Sequence, residues 1–412
     1  MKAIVIGGGL SGLAAAVELV DAGHEVALVE ARPTLGGAVQ TLPERDGDPP
    51  PPPDNGQHIA LGCFTEYLRF LDRIGEGASY SRRRLSLPVV GEDARAAAIS
   101  RSPLSILRYR HLPPRERLGV VRTLVALRRA DGRDDESFGA LLRRLGATET
   151  QIDRFWDVFV RPALNLRTDE ASAAMGAFTV RTALLGKASA ADVILPARPL
   201  GAMHGEAARR TLEQRGATVE SGHRVDSLDE IDADGIVVAL PPAESARLLG
   251  EPEPGLEPSP IVSVHLLFDR PLLRSPLAAL LDSPAHWVFD RGELTGHPPE
   301  RGQYLTVVSS GVPDLLDVRG KELVDLMAGE LTGRLGPAEL LWSRVSREPY
   351  ATVALRPGTQ AQRRGTETDH PNVVRAGAWT DTGWPATMEG AVRSGLAAAR
   401  TITKMRTVGA RA

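Results

Sequence analysis

At 412 residues, with 42% hydrophobic residues and a formal net charge of -3, the chain is long enough for about two to three domains and a real core, and carries no bulk electrostatic signal for nucleic acid. Its one cysteine, Cys63, excludes an intramolecular disulfide framework and a cysteine-rich metal site. A reducing compartment is expected.

Residues 3–6, Ala-Ile-Val-Ile, form a short β-branched run that predicts a buried strand. Gly7-x-Gly9-x-x-Gly12 turns from it into a helix carrying residues 13–20, so strand, glycines and helix read as a phosphate cradle. Gly7 permits the tight turn, Gly9 lets a pyrophosphate approach the backbone, and Gly12 with the alanines at 14–16 lets the helix lie close on the sheet. Leu10 and Ser11 open that helix, where unpaired N–H groups favour an anion. Residues 25–29 predict a second strand that ends on Glu30, whose carboxylate can bind both ribose hydroxyls and would repel a 2′-phosphate. The expected ligand contains an unphosphorylated adenosine ribose, as in FAD or NAD. The first strand is expected to begin at once, with no leader ahead of it, and no run is long enough to span a bilayer. A cytoplasmic protein is expected, with peripheral contact at the inner face of the cell membrane left open.

After Glu30 come Ala31, Arg32 and the pair Gly36-Gly37, a second close backbone approach on the ligand's side of the first loop. This pattern of acid, basic residue and later Gly-Gly resembles the amine-oxidase and isoprenoid-desaturase group of FAD enzymes. Those proteins usually have arginine next, where this chain has Ala38, so a phosphate contact is missing. Residues 49–53 are five consecutive prolines, read as an extended solvent-facing segment, with a proline-recognition ligand as the alternative.

The loop Asp54-Asn55-Gly56-Gln57-His58 then runs into an apolar stretch, residues 59–64, as expected for polar groups delivered to a buried site. A helix follows from Thr65, with Tyr67, Leu68, Phe70, Leu71 and Ile74 on one face and Gly75 closing it. The whole string from Asp54 to Gly75 resembles the squalene-associated FAD-dependent desaturase family, understood as hydroxysqualene dehydroxylases.

Residues 101–215 read as mostly helical, with segments at 104–109, 116–129, 135–145, 149–159 and 172–185 punctuated by Pro113-Pro114, Gly132, Gly146 and Pro162. Arg108, Arg110, Arg115, Arg117, Arg122, Arg128 and Arg129 are interleaved with leucines and valines, which reads either as a solvated amphipathic face or as an interfacial helix touching anionic lipid. A helix ending near Arg215 leads into strands at 218–225 and 236–240, and alternation at 261–269 and 304–309 predicts a second sheet covering the substrate. The resemblance places Val225 beside the adenine.

Residues 372–377 predict a strand, followed by Trp379-Thr380-Asp381-Thr382-Gly383-Trp384 and a last helix with small residues at Gly390, Ala391, Ser394 and Gly395. The stretch 376–395 resembles the family's C-terminal flavin motif, with Ala378 standing where relatives carry an acid. Trp379 and Trp384 read equally as pocket walls or as core. No histidine pairing has metal-ligand spacing, so no metal is expected.

The fold class expected is α/β: a Rossmann-like FAD-binding domain, a second mixed-sheet substrate domain and a helical insertion. The FAD-binding domain is assigned residues 1–75, 196–250 and 356–412, with a largely helical lid at 76–195 and the substrate sheet at 251–355. The resemblance implies FAD held by Gly7, Gly9, Leu10, Ser11, Gly12, Glu30, Ala31, Arg32, Gly36, Gly37, Ala38, Val225, Gly377, Ala378, Thr387 and Met388. It also implies reductive removal of the hydroxyl from hydroxysqualene, a hydrophobic C30 isoprenoid, for hopanoid-type lipids, with an unidentified electron donor renewing the reduced FAD. For the proton such a reaction needs, His58 and Asp54 are the candidates, with Gln57 orienting the hydroxyl. The competing readings are a carotenoid or phytoene desaturase, an amine oxidase, and a non-catalytic lipid scaffold.

Overall fold

The computed structural model describes residues 1–229 and 231–409. Its organising layer is a five-stranded parallel sheet in the order Val373–Arg375, Gly235–Val238, Lys2–Ile6, Glu25–Glu30, Thr218–Ser221. Parallel strands covered on both faces need apolar residues throughout, and Ala3, Val5, Val26, Leu28, Val237 and Val374 are all buried. The helix Leu10–Asp21 packs on this sheet through Leu13, Ala14, Ala16 and Val17. Each fully buried leucine or valine contributes about 1.5–3 kcal/mol.

The last helix, Met388–Gly409, lies across Leu10–Asp21, and Gly395 permits the crossing. A Cβ on Gly395 would fall 2.0 Å from the Ser11 carbonyl oxygen. This places the start of both helices at the carboxyl ends of the central strands, where doubly wound sheets bind ligands.

A seven-stranded mixed sheet stands beside it, in the order Leu340–Val353, Pro258–Phe268, Gln303–Ser310, Trp287–Asp290, Leu277–Leu280, Ser86–Val90, Ala96–Ser100. Val262, Val264, Leu266 and Phe268 on one face pack against the helix Gly320–Leu335. Ser263 and His265, on the opposite face, are also fully buried. Helices Pro114–Leu127, Phe138–Arg144, Asp157–Leu164 and Ala173–Ala183 share one core with residues of this sheet.

Several expectations need correction. Residues 76–100 are not helical: they supply Tyr80–Arg83, Ser86–Val90 and Ala96–Ser100 as strands, two of which complete the large sheet. Pro162 does not end its helix. A π-helical turn at Ile152–Trp156 passes into Asp157–Leu164, and the helix stops at Asn165, which adopts the left-handed conformation at φ 54°. The strand expected at 218–225 ends at Ser221, leaving Val225 in the following loop.

The proline run is not solvent-facing, since Pro49, Pro51 and Pro53 are buried. Arg344 pairs with Asp48 and donates to the Pro43 carbonyl, and Arg291 donates to the Pro52 carbonyl, so the large sheet draws the segment inward.

Candidate active site

Gly7 stands where the first strand ends, and its N–H donates to the Val29 carbonyl at 2.8 Å, joining the first turn to the second strand. Its φ of 106° suits glycine, and a Cβ there would meet the Ala239 carbonyl oxygen at 2.4 Å. Leu13 N–H closes the first helical hydrogen bond onto Gly9, so the N–H groups of Leu10, Ser11 and Gly12 form the open first turn. Glu30 is partly exposed at the end of its strand. One carboxylate oxygen accepts from Gly8 N–H at 2.6 Å and the other from Arg32 N–H at 2.8 Å.

The second glycine loop closes directly on the first: Gly36 N–H donates to the Gly8 carbonyl at 2.8 Å. Gly37, at φ 61°, brings its backbone so near that a Cβ would stand 2.8 Å from the Gly9 Cα. The sequence therefore builds two stacked backbone turns with an acid at their rim, a donor set that fits a dinucleotide pyrophosphate and its ribose. Ala31 and the Ala38 side chain lie exposed beside this cradle. Val225 is half-buried with Leu228 and Leu240, in the loop whose His223 N–H donates to the Glu30 carbonyl.

The Asp54–His58 loop is bound to the second glycine loop by a short antiparallel ladder. Leu42 N–H donates to the Pro53 carbonyl and Asn55 N–H to the Gln40 carbonyl, while the Asn55 amide donates to the Ala38 carbonyl at 2.8 Å. Gly56 then passes close under the large sheet, where a Cβ would be 2.9 Å from Ser263 Oγ.

Asp54 is 2% exposed and every polar contact it makes is with a donor. Oδ1 accepts from Thr41 Oγ1 at 2.7 Å and Leu200 N–H at 2.9 Å, and Oδ2 from Arg291 Nη1 at 2.6 Å. That arrangement anchors the loop to Thr41, to the Leu200 backbone and to Arg291. His58 Nδ1 is 3.1 Å from the Gly56 carbonyl, which leaves Nε2 without a hydrogen bond among the described residues. Burial holds the His58 imidazole below the usual histidine range, against the opposing pull of the Gly56 carbonyl and the Asp54 carboxylate. Gln57 is half-buried, and its amide donates to the His58 carbonyl at 3.3 Å.

At the carboxyl end of the Val373–Arg375 strand, Gly377 N–H donates to Ser394 Oγ on the last helix at 2.9 Å, and Thr380 Oγ1 lies 2.7 Å from the same oxygen. Trp379 is core, with its indole N–H on the Leu240 carbonyl, whereas Trp384 is half-buried against Phe64, Phe178 and the Arg393 guanidinium. Buried Arg363 donates to the carbonyls of Ala378, Trp379 and Thr380, so a cation holds this turn by its backbone. Thr387 precedes the last helix and accepts from Gly390 N–H at 3.3 Å, with Met388 as the first helical residue. Burial pushes the Cys63 thiol up to about 11, which leaves it unreactive at neutral pH.

Sequence reasoning missed Arg291, Arg363 and Glu389. Glu389 is fully buried and accepts from the N–H groups of Glu66 and Tyr67, capping the helix Thr65–Arg73 from across the fold. The contacts that matter here join Arg291 to Asp54, Arg363 to the turn at 378–380 and Glu389 to the 66–67 backbone, and no local pattern announces them.

The doubly wound sheet, the stacked glycine turns and the acid at the end of the second strand define a dinucleotide-binding protein. Residues 10–403 match the family of flavin containing amine oxidoreductases. The hydroxysqualene dehydroxylases of Sinorhizobium fredii and Rhodopseudomonas palustris are each 30% identical to the chain, covering 96% of it and 96% of their own length. A crystal structure of an oxidoreductase from Methanosarcina mazei superposes with a TM-score of 0.75 at 19% identity, covering 96% of this chain and 99% of that one. The chain belongs to the flavin containing amine oxidoreductases, as an FAD-dependent enzyme, and within them to the hydroxysqualene dehydroxylase family.

Proposed function

We propose that the protein removes the hydroxyl group of hydroxysqualene to give squalene, a step in squalene and hopanoid biosynthesis. The observation that carries this reading is the full-length likeness to two hydroxysqualene dehydroxylases, joined to a loop, Asp54–His58, hydrogen-bonded to the second glycine turn. FAD would be held by the open turn of Leu10, Ser11 and Gly12, by Glu30 and by the Gly36-Gly37 backbone, and in its reduced form it supplies hydride.

Loss of the hydroxyl needs a proton, since water is a far better leaving group than hydroxide and the allylic cation left behind is delocalised. His58 fits the donor role: Nδ1–H is engaged by the Gly56 carbonyl, so Nε2 is the nitrogen that takes up and delivers the proton. The depressed basicity that burial imposes makes its protonated form a stronger acid. Asp54 acts at one remove, holding the loop through Thr41, Leu200 and Arg291. Gln57 keeps its amide oxygen for the substrate hydroxyl, and Trp384 with Phe64 and Phe178 supplies an apolar wall for the hydrocarbon.

The test is anaerobic. Reduced enzyme is mixed with hydroxysqualene, and flavin absorbance is followed together with squalene by mass. Reoxidation with stoichiometric squalene supports the reading. Flavin that stays reduced overturns it and directs the search to carotenoid precursors or amines with the oxidised enzyme.

A further inference from the structure

Charge and apolar exposure coincide at one place on the described surface. Residues 101–130 contain eight arginines and a single acid, Glu116, a formal +7 within a chain whose net charge is -3. Glu116 pairs with none of these arginines among the described residues; its carboxylate accepts from Thr148 and Gln151. Arg117 is also used internally, on the carbonyls of Leu112 and Leu107. Arg108, Arg110, Arg115, Arg122, Arg128 and Arg129 make no ion pair among the described residues, although arginine side chains elsewhere are widely paired.

On the helix Pro114–Leu127 the outward residues recur every three or four positions: Arg115, Leu118, Arg122, Val125 and, just beyond its end, Arg129. Leu118 is 55% exposed and Val125 61% exposed. The short helix Pro103–Leu107 packs alongside and adds Leu104 at 58%. The buried side of the longer helix, Val120, Thr123 and Leu127, already satisfies its share of the core. This outer face is therefore apolar where folding does not require it, and cationic without internal partners.

We propose that the face formed by Leu104, Leu118 and Val125 with Arg115, Arg122 and Arg129 docks on an anionic phospholipid bilayer. The apolar side chains enter the interface while the guanidinium groups meet lipid phosphates, the division of labour of an interfacial helix. No helix among the described residues is long and apolar enough to cross a membrane, so the contact is peripheral. The inference rests on this surface alone and stands apart from the reaction proposed above.

The experiment is flotation of the flavin-loaded full-length protein with vesicles of phosphatidylcholine, with and without phosphatidylglycerol. Binding to the mixed vesicles, weak binding to phosphatidylcholine alone and release by salt are the expected results. Leu118→Asp with Val125→Asp should weaken binding on the order of tenfold or more, and Arg115→Gln with Arg122→Gln should do so by a similar factor. All four positions are exposed, and unchanged flavin content confirms that each variant folds. Equal flotation on both lipids, no flotation on either, or binding that ignores both pairs of variants overturns the proposal. So does a dimer that these variants dissociate, which would make a second copy the occupant.

Discussion

Arg291 Nη1 lies 2.6 Å from Asp54 Oδ2, with both side chains almost fully closed to solvent, and this pair joins the large sheet to the loop beneath it. Arg291 extends from the short helix Arg291–Thr295, and its second amino group holds the Pro52 carbonyl. A buried ion pair of this kind serves geometry more than net stability, because desolvation of both charges offsets their attraction. Removing one partner is another matter.

Arg291→Met leaves the Asp54 carboxylate buried without its cation, and the loss expected from such a break is about 3–5 kcal/mol. Asp54→Asn combined with Arg291→Met should recover a large part of it, since no unpaired charge then remains. Urea denaturation of the two single variants and the double variant checks this. Single variants within about 1 kcal/mol of the parent would show that water reaches the pair and that the loop is held by other contacts.

Gly37→Ala should strip the protein of flavin. Its Cβ would press on the Gly9 Cα at 2.8 Å, at a φ of 61° that already disfavours a side chain. The two glycine turns would part, and FAD affinity should fall by on the order of tenfold or more, a shift that corresponds to about 1.4 kcal/mol or more. Gly23→Ala is the control, because it carries the same kind of conformational strain at φ 79° with nothing within 4 Å of the added atom. Equal flavin content in both variants would mean that strain alone, and not the clash between turns, sets the effect.

How much of this was legible beforehand depends on how far apart the interacting residues lie. Residues 3–30 form strand, turn, helix and strand through neighbours, so glycine spacing and apolar runs carry the whole unit. The string from Asp54 to Gly75 was legible through its resemblance to a family, but the anchor of its loop was not: Arg291 stands 237 positions from Asp54. Strands at 86–100 were missed because Pro88 and the alanines at 96–98 weaken the alternating signal, and only pairing with Leu277–Leu280 places them in a sheet. The prolines at 49–53 looked like surface because nothing in the run reveals that Arg291 and Arg344 would draw it inward.

Three buried histidines predict acid sensitivity. Burial lowers His204 to about 4 against the pull of the Leu200 carbonyl, and lowers His265 and His286 to about 3, where nearby arginines add to the effect. Between pH 6.5 and those values the unfolded chain takes up protons that the native state refuses, so native stability falls as pH falls. The loss is about 1.4 kcal/mol per pH unit for each histidine. The urea midpoint should therefore drop markedly between pH 7 and pH 5. A flat midpoint across that interval would mean that these imidazoles ionise inside the fold.

His58→Gln should remove most of the turnover while leaving FAD bound, if Nε2 is the proton source. General acid catalysis contributes about 10²–10⁴-fold, and under the proposed reaction a loss in that range is expected in product formed per minute. Because burial places the imidazole below the usual histidine range, it is largely neutral at pH 7, and the parent rate should rise as pH falls toward that lowered value. The acid limb should vanish in the variant. A variant that turns over within twofold of the parent, or keeps the limb, would falsify the assignment.

Glu389 offers a separate test of how the two motifs cooperate. It sits on the last helix, yet its oxygens accept from Tyr67 N–H at 2.8 Å and Glu66 N–H at 3.2 Å, the first free donors of the helix that follows the Asp54–His58 loop. Arg393 holds the same carboxylate at 2.8 Å, and burial raises its pKa against these favourable contacts. Glu389→Ala orphans two helix donors in a dry site, a loss of about 1–3 kcal/mol. Glu389→Gln keeps one acceptor and should lose less, mainly the charge-assisted bond to Arg393. Both measurements come from the same urea titration. If the two variants lose equal stability, the capping role is wrong and the carboxylate matters only as a counter-charge to Arg393; if Ala loses more, the last helix fixes the orientation of Thr65–Arg73 and, through it, of the loop that carries His58.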